Sequence, residues 1–119
     1  MSDIQISIHH KSYRNSQLPV INSFRLSLKS GEFVCLLGQS GCGKTTLLNC
    51  IAGLDHAYTG EVSLGDRHTR PKIGYIFQNP RLLPWRTVRE NISLVLPSSE
   101  PESNSNLDAL LSAMQLLRC

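Results

Sequence analysis

The chain has 119 residues, 40% hydrophobic and 18% charged, with twelve Lys and Arg against nine Asp and Glu and a formal net charge of +3. That length suits one domain with one core, and the composition excludes a disordered or fibrous chain. Its basic residues are scattered rather than clustered, which argues against nucleic acid as a partner, and apolar runs such as FVCLL and ISLVL fall far short of the roughly 20 residues that cross a bilayer.

From the N-terminus, MSDIQISIHHK has no signal-peptide core, so a cytoplasmic location is expected. The alternation in DIQISI predicts a half-buried strand, and FRLSLKSGEF sets Phe24, Leu26 and Leu28 on one face before a turn at Ser30 and Gly31. Both read as antiparallel strands with one wet face. Residues 33–37 are continuously apolar, the pattern of a strand covered on both faces in a parallel sheet, and form the candidate central strand. After the glycines that follow, KTTLLNCIAGL places Leu47, Leu48 and Ile51 on a helical stripe that Gly53 ends.

TGEVSLGD and KIGYIF predict two further strands, and QNPRLLPWR a loop broken by Pro80 and Pro84. TVRENISLVL predicts a helix capped by Thr87, with Glu90 three residues on completing a capping box. PSSEPESNSN reads as a polar linker, and LDALLSAMQLL as an amphipathic helix with Asn106 as its N-cap. No internal repeat is visible. The four cysteines (Cys35, Cys42, Cys50, Cys119) form no CxxC pair and no zinc spacing with histidine, and are read as buried or loop thiols in a reducing compartment.

Chemistry concentrates at Gly38, Gln39, Ser40, Gly41, Cys42, Gly43, Lys44 and Thr45, which match G-x-x-x-x-G-K-[ST] without deviation and are followed by Thr46. Glycines let the backbone curl so that successive N–H groups point inward, and the following helix adds its own unpaired N–H groups and positive end, a nest for phosphate oxygens. Lys44 supplies a mobile positive charge for the β and γ phosphates, and the Thr45 hydroxyl suits a magnesium ion that keeps waters and phosphate oxygens around it. The apolar run before the loop and the amphipathic stretch after it are the context a nucleotide-binding P-loop requires. Cys42 either fills a permissive position, the simpler account, or is a thiol activated by Lys44 and the helix N-terminus.

GQSGCGKTTLLNCIAGLDHAYTGEV and IGYIFQNPRLLPWRTVREN together resemble the ATP-binding subunits of ABC transporters over nearly the whole chain. The resemblance implies an α/β P-loop NTPase core of the ABC ATPase type, an antiparallel β subdomain plus a partial parallel sheet. Residues 1–79 would hold the nucleotide-binding core and 80–119 the segment after Gln78 and the start of a helical subdomain. It implies ATP and Mg2+ as cofactors, with residues 38–46 on the triphosphate, Thr45 and Gln78 on the metal, and Tyr13 of KSYRN as the adenine platform. Gln78, in YIFQ, would also contact the attacking water. Implied partners are transmembrane permease subunits and a second ATP-binding subunit, which would hold the chain at the inner face of the cell membrane.

More narrowly, PRLLPWRTVREN resembles importers of nitrate, sulfonates, taurine and similar small compounds, and Trp85 and Arg86 either face the membrane partner or are a packed Trp beside a solvated Arg. Complete members of the family are about twice as long. Their LSGGQ signature, their Walker B strand with its Asp and Glu, and their switch histidine have no match in this sequence, and His9, His10, His56 and His68 are read as surface or turn residues. Catalytic residues are therefore unassigned, and the chain is expected to bind ATP-Mg without hydrolysing it alone. Without a Walker B neighbour, the strand at 33–37 is expected to expose an unpaired apolar edge. Three readings stand: an ABC-type ATPase represented by its N-terminal part, a non-hydrolytic fragment that complements or regulates a partner, and another P-loop kinase or GTPase. The last is disfavoured because no guanine-reading NKxD or lid-like arginine cluster occurs.

Overall fold

The computed structural model describes residues 3–66, 68, 71–96 and 101–114 and divides into two units, Met1–Tyr75 and Ile76–Cys119. In the first unit the alternating start of the chain becomes β1 (Ile4–Lys11), the central strand of a three-stranded sheet in which β2 (Ile21–Leu28) and β3 (Thr59–Leu64) lie antiparallel on either side. Ile4 pairs with Leu28 and Leu64, and Ile8 with Phe24 and Gly60. With partners on both edges, every ladder group of β1 has somewhere to go. Period-2 alternation puts Ile6 and Ile8 on the buried face, where Ile8 is 0% exposed.

The register then shifts between Ile8 and His10 against β3. A bulge reverses the parity of the strand beyond it, so Lys11 rather than His10 turns inward. Helix α1 (Lys44–Ile51) closes the core by laying Leu47 and Cys50 against Ile6, Ile8 and Ile21, with Ile51 packed alongside. Leu48, expected on this stripe, is half-exposed instead: the buried face runs through 47, 50 and 51, the i, i+3, i+4 set, and 48 is turned away from it. Gly53, at φ 71, ends the helix as expected; Leu54 N–H reaches Asn49 O at 2.9 Å and Gly53 N–H reaches Cys50 O at 3.2 Å, the paired bonds of a Schellman motif.

Two expected strands do not form ladders. Residues 33–37 and 72–77 form no strand ladder among the described residues; Phe33 is 89%, Leu37 94% and Ile76 98% exposed. Among the described residues every ladder is antiparallel, so the expected partial parallel sheet does not appear there. Tyr75, which donates to Asn49 Oδ1 at 2.7 Å, ties the second run to α1.

In the second unit, α2 (Val88–Ser93) begins with the expected capping box: Thr87 Oγ1 accepts from Glu90 N–H at 3.2 Å, and Glu90 Oε2 accepts from Thr87 N–H at 2.8 Å. Hydrogen bonding from the Thr87 backbone N–H, and then from its side chain, holds the Glu90 carboxyl below its usual range. It stops before the ISLVL run is used up. Asn91 stitches the preceding loop to it, accepting from Leu83 N–H at 2.8 Å and donating to Thr87 O at 2.9 Å. Helix α3 (Pro101–Ala113) starts earlier than expected, so Asn106 lies inside it rather than capping it. Pro101 explains the early start, since a proline at the first helical position has its φ already set and no N–H to leave unpaired. Leu107 and Leu111, one turn apart, are buried. Residues 97–100 of the expected linker, 115–117 of the expected last helix and Cys119 lie outside the described residues.

Candidate functional site

The glycine loop is shaped by crowding. A Cβ on Gly38 would stand 2.6 Å from Cys42 Sγ, and one on Gly43 would stand 2.9 Å from Val20 Cγ1 and 3.0 Å from Val20 O. Gly43 also has φ 99, the left-handed conformation that L side chains resist. Only glycine at both positions lets the turn close this tightly and press against Val20, the residue before β2. Gly43 is the N-cap of α1 and no side chain caps the helix. The first helical bond runs from Leu47 N–H to Gly43 O at 2.9 Å, so the N–H groups of Gly43, Lys44, Thr45 and Thr46 precede the ladder at the positive end of the helix.

Lys44 folds back across this turn. Its Nζ donates to Gly38 O at 2.6 Å and Gln39 O at 2.8 Å and lies 3.5 Å from Cys42 Sγ. These acceptors are neutral, and among the described residues no carboxylate pairs with it, so its charge is held at the loop mouth without being neutralised. Gln39, Ser40, Gly41, Cys42 and Thr45 are exposed around it. Compact, glycine-limited, rich in N–H donors and positive, the turn fits the phosphate chain of a nucleotide.

Thr46 is buried, and its Oγ1 shares a 3.1 Å hydrogen bond with the Tyr13 hydroxyl. The residue singled out as an adenine platform is thereby brought to the first turn of α1. Behind Tyr13 lies a group that sequence reasoning missed. Lys11, only 2% exposed, carries its Nζ 4.7 Å from the centroid of the Tyr13 ring, 2.7 Å from Asp55 Oδ2 and 3.0 Å from Ala57 O. A buried ammonium needs such partners. The Lys11 bond, and then the Ala57 N–H at 2.9 Å, hold the Asp55 carboxyl below its ordinary range. Burial, with Asp55 adding to it, pushes the Cys50 thiol up, so that cysteine is an inert core residue. A lysine in an alternating strand reads as solvent-facing, and only the bulge turns it inward; nothing in the composition around it announces that.

Gln78 is exposed and belongs to the second unit, on a segment where the Arg81 guanidinium sits 4.6 Å from the Phe77 ring centroid. Trp85 is exposed. The four histidines are exposed, as read from the sequence. Among the described residues no three His, Cys, Asp or Glu side chains converge as a metal site, and no helix is long and apolar enough to cross a membrane.

Residues 21–119 match the family described as ABC transporter. The chain belongs to that family. Membership brings with it the α/β fold of the ABC ATPase domain, of which the three-stranded antiparallel sheet and the loop-helix unit are the parts formed here. The ABC domain is 42% identical over 118 residues to the aliphatic sulfonates import ATP-binding protein SsuB of Bacillus subtilis (strain 168), covering 95% of this chain and 46% of that protein. It is 38% identical over 124 residues to aliphatic sulfonates import ATP-binding protein SsuB 1 of Xanthomonas axonopodis pv. citri (strain 306), covering 98% of this chain and 49% of that protein. A third relative, the SsuB 1 of Pseudomonas syringae pv. syringae (strain B728a), is 43% identical over 89 residues, 75% of this chain and 35% of its own length. The chain spans about half the length, or less, of these curated relatives.

Proposed function

We propose that this chain is the nucleotide-binding part of the energy-coupling subunit of an ABC importer, with an aliphatic sulfonate or a related small compound such as taurine or nitrate as cargo. The observation that carries the nucleotide part is the phosphate loop, closed by Gly38 and Gly43 around a Lys44 ammonium that no acid neutralises. The names of the relatives support the importer and the sulfonate cargo. ATP binds through its phosphates: the N–H groups of residues 38–46 donate to the phosphate oxygens, and Lys44 neutralises the terminal charge. Thr45 and, by its flanking sequence, Gln78 are the residues that would hold magnesium, whose charge offsets that of the phosphates when bound. Tyr13 offers its ring to the adenine.

Binding is the part of the cycle these residues are proposed to carry. Permease subunits and a second ATP-binding subunit are its proposed partners, and the inner face of the cell membrane its proposed location.

Titrating the full chain with ATP and magnesium tests this directly. Lys44→Ala removes one charge-assisted set of contacts and is expected to weaken binding roughly 10- to 150-fold. Unchanged affinity in a folded variant would sink the nucleotide reading. ATP turnover by the purified chain, abolished by Lys44→Ala, would overturn the binding-only role.

A further inference from the structure

We propose that Lys11 is a positioning residue for the nucleotide base, acting through Tyr13; this rests on the reading of Tyr13 as the adenine platform. The Tyr13 ring is held at two points. Its hydroxyl is bonded to Thr46 Oγ1, beside the phosphate loop, and one ring face lies against the Lys11 ammonium at 4.7 Å. Lys11 is itself immobilised by Asp55 at 2.7 Å and Ala57 O at 3.0 Å, in the loop that follows α1. The two ends of α1 are therefore joined through Lys11 and Tyr13. With the hydroxyl tied and one face taken, the ring keeps its other face for a ligand, and Tyr13 remains 47% exposed. An ammonium draws π density toward itself, which lessens the repulsion a stacked purine meets on the opposite face. The Lys11 ammonium is buried and taken up by Asp55 and Ala57 O, so its contribution to binding passes through the ring.

The test compares two probes on the full chain, ATP and inorganic triphosphate, each with magnesium. Lys11→Met is expected to weaken ATP binding roughly three- to tenfold while leaving inorganic triphosphate binding unchanged. Lys11→Arg, which keeps a cation over the ring, restores most of the ATP affinity. In a Tyr13→Ala background, Lys11→Met has no further effect on ATP, the coupling expected of a residue that acts only through the ring. Should Lys11→Met fail to fold, as judged by circular dichroism and thermal melting, Asp55→Asn takes its place, since it leaves the ammonium but removes its anchor. Equal losses for both probes, or a Lys11→Met effect that persists without Tyr13, overturn the proposal and leave Lys11 a structural ion pair. If Tyr13→Ala weakens ATP binding and Lys11→Met does not, this inference fails alone. If Tyr13→Ala leaves ATP binding intact, the adenine-platform reading fails, and this inference with it.

Discussion

Strand β1 and the run at 33–37 both carry strand-forming apolar residues, yet one contains the most buried side chain of the core while the other packs Leu36 against that core and leaves Phe33 and Leu37 exposed. Ile8 is enclosed because β2 and β3 pair with β1 on both edges and α1 covers its inner face. Phe33 and Leu37 have the same appetite for burial but no ladder beside them among the described residues. Strand propensity is a statement about fitting a pleated, half-buried surface, and it turns into structure only where that surface exists. The glycine loop follows directly on the open run, but its geometry is set from the other side, by α1 and by Val20, the residue just before β2.

The sharpest way to break this contrast is at Ile8. Ile8→Ala leaves a hole in the one complete layer and is expected to lower stability by about 2–5 kcal/mol, read from denaturant or thermal unfolding. A value near zero would mean that the sheet is not what holds the first unit together.

An intermediate effect is expected on acidification, which acts on the Lys11–Asp55 pair at the end of β1. The folded Asp55 carboxyl lies below its unfolded value of about 3.9, so its contribution is complete above that pH and is lost as pH falls through the lower folded value. Stability measured from pH 6 downward should therefore begin to fall near pH 4, and Asp55→Asn should flatten that part of the curve relative to the unmodified chain. The smallest effect belongs to the open run: Phe33→Ser or Leu37→Ser should change stability by no more than about 0.5 kcal/mol. A large loss there would show that Phe33 and Leu37 are packed after all.

Much of the local structure was legible beforehand. The capping box of Thr87 and Glu90, the Gly53 stop, the alternation of β1 and β2 and the glycine loop are short-range patterns whose physics lies within a few residues of chain. Asn106 was misplaced as a cap because Pro101 offered a better start five residues upstream. Leu48 was misplaced in the core because a helical stripe fixes the period but not which side meets the sheet. The inward turn of Lys11 and its bond to Asp55 had no signal at all, since they depend on a bulge created by pairing with β3.

By itself the sequence marked the glycine loop proposed to hold phosphate, because G-x-x-x-x-G-K-[ST] encodes its own backbone shape and charge, and it determined the family, which the matching residues 21–119 bear out. Only the tertiary structure decided which apolar runs became strands and what stands behind Tyr13. Those outcomes are set by partners distant along the chain: β3 beside β1, and the Asp55–Ala57 loop around a buried ammonium. Local codes state what a segment can do, and pairing and burial select which of those possibilities is realised.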